Sequence, residues 1–155
     1  MSIKGLFHPA HPEKYRGDLK SIVFRSSWEL IVMRKFDSHP GILEWSSEPF
    51  PIPYEDASSR RRGNLGRLRR YYVDFWVKIK TKDGLVETLL IEVKPAKETR
   101  PPVKGKKRSR RYLTESLTYA KNMSKWEAAR RYCAMKGWKF VIWTEREIGI
   151  PEGGV

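Results

Sequence analysis

The sequence predicts an α/β domain in which a mixed central sheet is flanked by helices, with the element order α-β-β-β-α-β. Two apolar runs, YYVDFWVKIK at residues 71–80 and LLIEVKPAKE from residue 89, are separated by a stretch containing Asp-Gly, which is typical of an antiparallel hairpin. A helical segment lies on each side of this pair, and a last apolar run, WKFVIWT, follows the second helix.

The first half of the chain is predicted to hold one helix and one strand. Ser26 begins the helix, because Ser26 and Glu29 have the spacing of a capping box, and the turn signals SHPG end it near Asp37. A short extended piece at residues 22–24 precedes it. The Pro-rich stretch ILEWSSEPFPIPYED predicts an edge-like segment with a strand around residues 50–54, because proline cannot donate to a central ladder.

The central hairpin is predicted to consist of strands at residues 71–80 and 85–94. Asp83 and Gly84 are expected to be its two turn residues, since Asp-Gly is a favoured pair at such turns. Pro95 ends the second strand, because it has no N–H to continue the ladder.

The C-terminal part is predicted to contain a long helix and a last strand. Residues 113–136 form the helix, which stops at Gly137, with a break allowed near residues 122–124. Residues 138–144 form the strand. A short turn or helix and a tail follow it.

The chain of 155 residues is most simply one domain. Residues 1–20 are expected to be an N-terminal arm, and residues 21–155 a single domain with basic loops at 57–70 and 96–111. The single Cys133 excludes a disulfide framework and a cysteine-built zinc cluster. No apolar run is long enough for a membrane span, and the N-terminus lacks the apolar core of a signal peptide. We therefore expect an intracellular protein, or one carried in a particle made inside the cell.

The net charge of +14 indicates a polyanionic partner, most often nucleic acid. No basic amphipathic helix of the membrane-surface type is present, so we expect no membrane partner. The two basic loops are expected to contact the DNA backbone, which fixes position without reading sequence; ordinary solvated charge is the alternative. The candidate DNA-binding residues are Arg60, Arg61, Arg62, Arg67, Arg69, Arg70, Lys104, Lys106, Lys107, Arg108, Arg110 and Arg111.

Two carboxylates interrupt the apolar runs of the hairpin. A buried acid is costly unless it is paired or bound to a metal, so Asp74 and Glu92 need an explanation. With a two-residue turn, Asp74 falls opposite Val93, and a bulge or a slip of one residue sets it beside Glu92. Strand alternation places Glu92 and Lys94 on the same face.

Two interpretations of this cluster remain open from the residues alone. Lys94 is the compensating cation in the first, which makes the cluster a structural group of buried ions. A divalent cation lies between Asp74 and Glu92 in the second, and hard carboxylate oxygens without nearby Cys or His favour Mg²⁺ or Mn²⁺ over Zn²⁺. Lys94 would then orient a water that attacks a phosphate.

Other polar residues are weaker candidates. Glu29 either only caps its helix or, because apolar residues follow it three, four and seven positions on, faces the cluster from the core side. Glu48 is the spare acid expected nearest the cluster. Lys125 is a candidate for approaching DNA, whereas the adjacent Trp126 is expected to pack in the core. Asn122 is either a helix-break residue or a neighbour of the cluster.

Asp74, the segment Glu92-Val93-Lys94 and the upstream helical Glu29 together resemble the D…(D/E)-x-K nuclease superfamily, which has the restriction-endonuclease-like fold. Segments over nearly the whole chain, among them PEKYRGD, RSSWEL, WSSEPFPIPY, SKWEAARRYCAMKGWKF and WTERE, resemble the head-completion nucleases of tailed phages. The layout is also similar to the endonuclease subunit of heteromeric bacterial transposases, which usually has Gln where Glu92 stands.

The resemblance implies a Mg²⁺- or Mn²⁺-dependent DNA endonuclease that acts on double-stranded DNA. It implies Glu29, Asp74, Glu92 and Lys94 as the catalytic set, with Asp74, Glu92 and the Val93 carbonyl holding the ion. It also implies a role in phage head completion or DNA packaging, with head or neck proteins as partners, in the host cytoplasm or in the virion. The alternatives are a non-catalytic DNA-binding protein of the phage head or neck, and a transposase-type subunit that needs a partner.

Overall fold

The structure is a computed structural model that describes residues 3–61, 63–105 and 109–149. Its strands are β1 Gly5–Leu6, β2 Val23–Phe24, β3 Ile42–Ser47, β4 Pro51–Asp56, β5 Arg67–Tyr72, β6 Phe75–Lys80, β7 Val86–Val93 and β8 Lys139–Trp143. Its helices are α1 Ser27–Ser38, α2 Arg110–Lys136 and α3 Glu145–Ile148.

The predicted α/β fold with a mixed central sheet is confirmed. The main sheet has the strand order β3-β6-β7-β8, in which β6 is antiparallel to both of its neighbours and β8 joins parallel to β7 after α2. Together with α1 ahead of β3, this gives the expected order α-β-β-β-α-β. Strands β4 and β5 form a separate two-stranded ribbon that is inserted between β3 and β6.

Helix α2 runs without a break, so the interruption allowed near residues 122–124 is absent. Ser124 does not disturb the helix, because its hydroxyl donates to the Ala120 carbonyl one turn earlier. Trp126 and Ala129 are buried and hold the following turns against the sheet. Gly137 ends the helix as predicted, with a φ of 74° that favours glycine.

Residues 71–80 are not one continuous strand. The chain bends at Val73 and Asp74, because the residues before the bend pair with β4 in the ribbon and those after it pair with β3 and β7 in the main sheet. Residues 67–70, which the sequence places in the first basic loop, extend β5 and pair with β4.

The β6–β7 hairpin has a longer connection than the predicted two-residue turn. The Thr81 N–H donates to the Leu85 carbonyl at 2.7 Å, which leaves three residues in the loop. Gly84 is the last of them and has a φ of 81°, as is usual for a turn followed by a left-handed residue. The register shifts by one position, so that Asp74 continues the pairing toward Glu92 rather than Val93.

Residues 42–47, which belong to the segment expected to be extended and edge-like, form the edge strand of the main sheet, in addition to the strand expected around residues 50–54. Trp45 in this strand is fully buried, and the Tyr15 ring from the N-terminal segment packs edge-on against it with 4.6 Å between ring centroids. Asp37 accepts hydrogen bonds from the N–H groups of Ala10 and His11. These contacts attach residues 10–15 to the domain.

Both faces of the main sheet are covered, which explains its near-continuous apolar strands. One face packs against α1, with Phe36 and Phe75 at its centre, and the other packs against α2, with Leu90 and Trp126. Because the sheet is buried on both faces, the end of the sheet where β7 stops is held in place. No helix in the described ranges is long and apolar enough to cross a membrane.

Candidate active site

The candidate site lies where β7 ends and the chain bends into β6. Asp74 is in the bend, and its carboxylate accepts the Val93 N–H at 2.8 Å. This hydrogen bond replaces the ladder contact that a continuous strand would make, so it holds the Asp74 side chain against the end of β7. The structure therefore brings Asp74 and Glu92 together, as the one-residue slip in register requires.

Glu92 is 6% exposed and has a different partner for each oxygen. The Tyr71 hydroxyl donates to one oxygen at 2.6 Å, and the Lys94 ammonium lies 3.3 Å from the other. The Lys94 N–H donates to the Trp143 carbonyl of β8, which extends the parallel pairing beyond β7. The contact between the Glu92 carboxylate and the Lys94 ammonium places both side chains on one face, as strand alternation predicts.

Sequence reasoning missed Tyr71. In a continuous strand Tyr71 and Asp74 would point to opposite faces, because they are three positions apart. The bend at Val73 and Asp74 removes that alternation, so a side chain from the ribbon reaches the carboxylate of Glu92. No pattern in the sequence indicates this bend.

The cluster carries more negative than positive charge. Burial raises the pKa of Asp74 well above its usual value, the charge of Glu92 raises it further, and the charge of Glu29 adds to the effect. The Val93 N–H and the Lys94 charge oppose these effects without cancelling them. Burial and the Glu92 carboxylate likewise raise the pKa of the Tyr71 hydroxyl, which stays a hydrogen-bond donor.

These residues fit a hard divalent cation. Within the described residues, no group of three or more His, Cys, Asp or Glu side chains is arranged to hold a metal by itself. Asp74, Glu92 and a backbone carbonyl would leave other positions to water, and Mg²⁺ usually keeps several waters and takes only one or two carboxylates. The raised pKa of Asp74 shows that its charged form is not fully compensated by Lys94, and a cation at this position would stabilise that form.

Glu29 both caps α1 and faces the cluster. Its N–H donates to the Ser26 hydroxyl at 3.1 Å, as predicted for a capping residue. Its carboxylate lies 3.4 Å from the Arg25 N–H rather than accepting the Ser26 N–H of a standard capping box. Burial raises the pKa of Glu29, and its charge in turn raises the pKa of Asp74.

Glu48 lies beside Glu29 and Asp74. Its φ is 45°, an uncommon value for a residue other than glycine, and its N–H donates to the Asp74 carbonyl. Arg25 pairs with the Glu48 carboxylate at 2.9 Å, and the Glu48 charge raises the pKa of Glu29. The backbone of Glu48 thus supports the bend that carries Asp74.

Helix α2 contributes a lysine to the neighbourhood of the site. Lys125 is half-buried with its ammonium 5.5 Å from the centre of the Tyr71 ring. Burial lowers its pKa, and the Glu92 carboxylate partly opposes that shift. Trp126 is buried in the core, as expected. Arg130, further along α2, stacks on Phe140 instead of approaching the site.

The predicted DNA-binding residues fall into three groups. Arg60 and Arg69 are held in ion pairs with Glu55 and with the fully buried Asp56, respectively. The second group is exposed on the ribbon, on the loop before α2 and in the first turn of α2, and consists of Arg61, Arg67, Arg70, Lys104, Arg110 and Arg111. Arg111 pairs with Glu115. Outside the described residues are Arg62, Lys106, Lys107 and Arg108.

Comparison with known proteins adds two findings. The model of the family described as TnsA-like endonuclease N terminal matches residues 39–145, which include Asp74, Glu92 and Lys94 but not Glu29. The chain is also 38% identical over 149 residues to the Head completion nuclease of Enterobacteria phage T4, and the match covers 94% of this chain and 93% of that protein.

Proposed function

The chain belongs to the TnsA-like endonuclease family, and we propose that Asp74, Glu92 and Lys94 give it metal-dependent activity on the phosphodiester bonds of double-stranded DNA. The observation that carries the proposal is the convergence of the half-buried Asp74, the buried Glu92 and Lys94 at the end of β7. A fold gains nothing from two like charges side by side, whereas a cation-dependent hydrolase needs them.

Each residue has a distinct role in this proposal. Asp74, Glu92 and the Val93 carbonyl would hold Mg²⁺ or Mn²⁺. The ion, when bound, lowers the pKa of water and offsets charge on the phosphate. The Lys94 ammonium, held near Glu92, orients the attacking water and stabilises negative charge developing on the phosphate oxygens.

Two further residues, Tyr71 and Glu29, support the catalytic residues. The Tyr71 hydroxyl fixes the orientation of Glu92 through its 2.6 Å hydrogen bond. Glu29 adds negative charge from the start of α1, which strengthens cation binding at Asp74.

The substrate assignment rests on charge. A net charge of +14 on a chain of this size favours a polyanion. Arg67 and Arg70 are exposed on the ribbon whose Tyr71 reaches the site, so basic side chains lie on an element that contacts the carboxylates. The side chains of Arg67 and Arg70 would contact phosphates and set position without reading sequence.

The biological setting follows from the phage T4 relative, which is named a head completion nuclease. We propose that this chain acts on DNA at phage head completion, with head or neck proteins as partners, in the host cytoplasm or in the virion. A transposase-type subunit is the second candidate, because the family match is to TnsA-like endonucleases. Glu92 favours the phage assignment, since the transposase subunits usually carry Gln at that position.

Incubation of the purified protein with supercoiled plasmid in Mg²⁺, in Mn²⁺ and in EDTA tests the function. Nicking or linearisation is expected with either metal and not in EDTA, and Lys94→Ala should abolish it while DNA binding persists. Binding without cleavage under all conditions would favour a structural DNA-binding protein. Cleavage only after a second phage or host protein is added would favour the partner-dependent subunit.

A further inference from the structure

A cleft of about 610 Å³ lies between the chain that follows Lys94 and the first half of α2. Its loop wall begins at Lys97, three residues after Lys94, and includes Pro102. Its helix wall is one stripe of α2, formed by Arg111, Thr114, Glu115, Thr118, Tyr119 and Asn122. The function proposed above assigns no role to any of these cleft residues except Arg111.

Asn122 is the residue that marks the cleft as a binding site. Its side chain lines the cleft although the residue is only 7% exposed. Among the described residues, none exchanges a hydrogen bond with its amide. Because the residue lines the cleft, its amide is open to a ligand that supplies a donor and an acceptor.

The cleft is linked to the carboxylates through neighbouring residues of α2. Asn122 and Lys125 are three positions apart on α2 and therefore share a face, about one helical turn from each other. The Lys125 ammonium lies 5.5 Å from the Tyr71 ring, and the Tyr71 hydroxyl binds Glu92. A nucleotide in the cleft would thus be a near neighbour of the phosphate that is cleaved.

We propose that this cleft holds an unpaired nucleotide of the DNA substrate next to the scissile phosphate, a proposal that rests on the function proposed above. Tyr119 offers an aromatic ring for stacking, and the Asn122 amide can pair with a base edge. Lys97 and Arg111 are cations for a phosphate at the rim of the cleft.

The size and charge of the cleft agree with this ligand. Its volume lies in the range of roughly 300–1,000 Å³ that is typical of small-molecule sites. Among the described residues, three basic and two acidic side chains line it, so the cleft offers cations for a phosphate as well as space for a base. The preferred substrate is then DNA with a frayed end, a single-stranded tail or a branch, rather than a blunt duplex.

Fluorescence anisotropy in EDTA tests the cleft without catalysis. The probes are a duplex with a single-stranded tail and the same duplex with an abasic tail, which carries equal charge but no bases. The wild-type protein should bind the base-bearing tail about tenfold more tightly, because one base–aromatic contact is enough for such a factor. Asn122→Leu and Tyr119→Leu should each abolish most of this preference.

Met123→Ala is the matched control, because Met123 follows Asn122 in the helix but lines a different cleft, against β4. It should keep the preference. Thermal melting checks folding, and Asn122→Leu is expected to hold or raise the Tm, since it removes an unpartnered amide.

Different results would contradict the nucleotide site and the proposed nuclease function. Equal binding of the two tails by the wild type, or a preference that survives in both Leu variants, overturns the nucleotide site. Cleavage of either tailed duplex in Mg²⁺, measured in parallel, reports on the proposed nuclease function, because it does not depend on which tail binds more tightly.

Discussion

Asp74→Asn should make the metal-free protein more stable and inactive at once. The amide oxygen of the introduced asparagine can still accept the Val93 N–H, so the change removes a charge while keeping the hydrogen bond. Asp74 has a raised pKa in the folded protein, so its charged form is disfavoured by folding. Removing that charge relieves the repulsion with Glu92.

The size of the effect can be worked from the strand geometry. Facing side chains on antiparallel strands start about 5 Å apart, and two carboxylates at that distance repel by about 3 kcal/mol at an effective dielectric constant near 20. The Lys94 ammonium offsets part of this repulsion. We expect a net gain of about 1.5 kcal/mol, which corresponds to an increase in Tm of about 3–6 °C for a chain of this length.

The pH dependence of this gain has a definite sign. The folded-state pKa of Asp74 lies above its unfolded-state value of about 3.9, so the destabilising contribution is absent below the unfolded value, grows as the pH rises above it, and is constant above the folded pKa. The gain in Tm from Asp74→Asn should therefore be nearly absent at pH 4 and larger at pH 8.

Differential scanning fluorimetry in EDTA measures the effect, with Glu92→Gln as the contrasting variant. Glu92→Gln also relieves repulsion but removes the ionic partner of Lys94, so it should raise the Tm less or lower it. Mg²⁺ at ten times its dissociation constant should stabilise the wild type by about 1.4 kcal/mol and leave Asp74→Asn unchanged. An Asp74→Asn protein that melts below the wild type in EDTA, or that still cuts DNA, would refute the reasoning.

Three further predictions follow from individual contacts. Glu29→Gln should keep the contacts at the start of α1 and melt like the wild type but lose at least about tenfold in cleavage rate, because it removes charge near Asp74. The control Ser26→Ala should be about 1 kcal/mol less stable to unfolding and should cleave DNA normally. Normal cleavage by Glu29→Gln would assign Glu29 to capping alone. Tyr71→Phe should weaken Mg²⁺ binding about 10–100-fold, measured by the metal-induced shift in Tm, since it removes the hydrogen bond that orients Glu92. The control Tyr72→Phe, at the neighbouring exposed position, should bind Mg²⁺ normally. An equal response of the two variants would mean that Tyr71 does not belong to the site. Changing Arg67, Arg70 and Lys104 to Ser should flatten the slope of log affinity against log salt concentration by about 0.9 for each phosphate that is no longer neutralised, and equally on unrelated duplexes. The control is Arg131→Ser, because the Arg131 side chain pairs with Glu127 on α2. An unchanged slope in the triple variant would mean that its three residues are solvated surface charge.

The arrangement of the main elements could be predicted because it depends on local patterns. The capping signal at Ser26, the glycine stop at Gly137 and the apolar runs around Asp74 and Glu92 are readable in sequence, and the fold expected from them is confirmed. The family expected from the Asp74, Glu92 and Lys94 pattern is confirmed as well.

What could not be predicted depends on tertiary contacts. Tyr71 and Asp74 belong to a single apolar run, and only the pairing of β5 with β4 shows that the chain bends between them. The register of the hairpin depends on Gly84 adopting a left-handed conformation, which Asp-Gly permits but does not require. Asp56, fully buried between Arg69 and Lys121, could not be recognised because its partners lie 13 and 65 positions further along the chain.

The most direct test of the central claim is a crystal structure of the protein with Mn²⁺, in which anomalous scattering locates the metal. We expect an anomalous peak between Asp74 and Glu92, within bonding distance of an oxygen of each and of the Val93 carbonyl, and no such peak in crystals of Asp74→Asn. An active protein whose Mn²⁺ peak lies elsewhere, or which shows no peak at Asp74 and Glu92, would contradict the account.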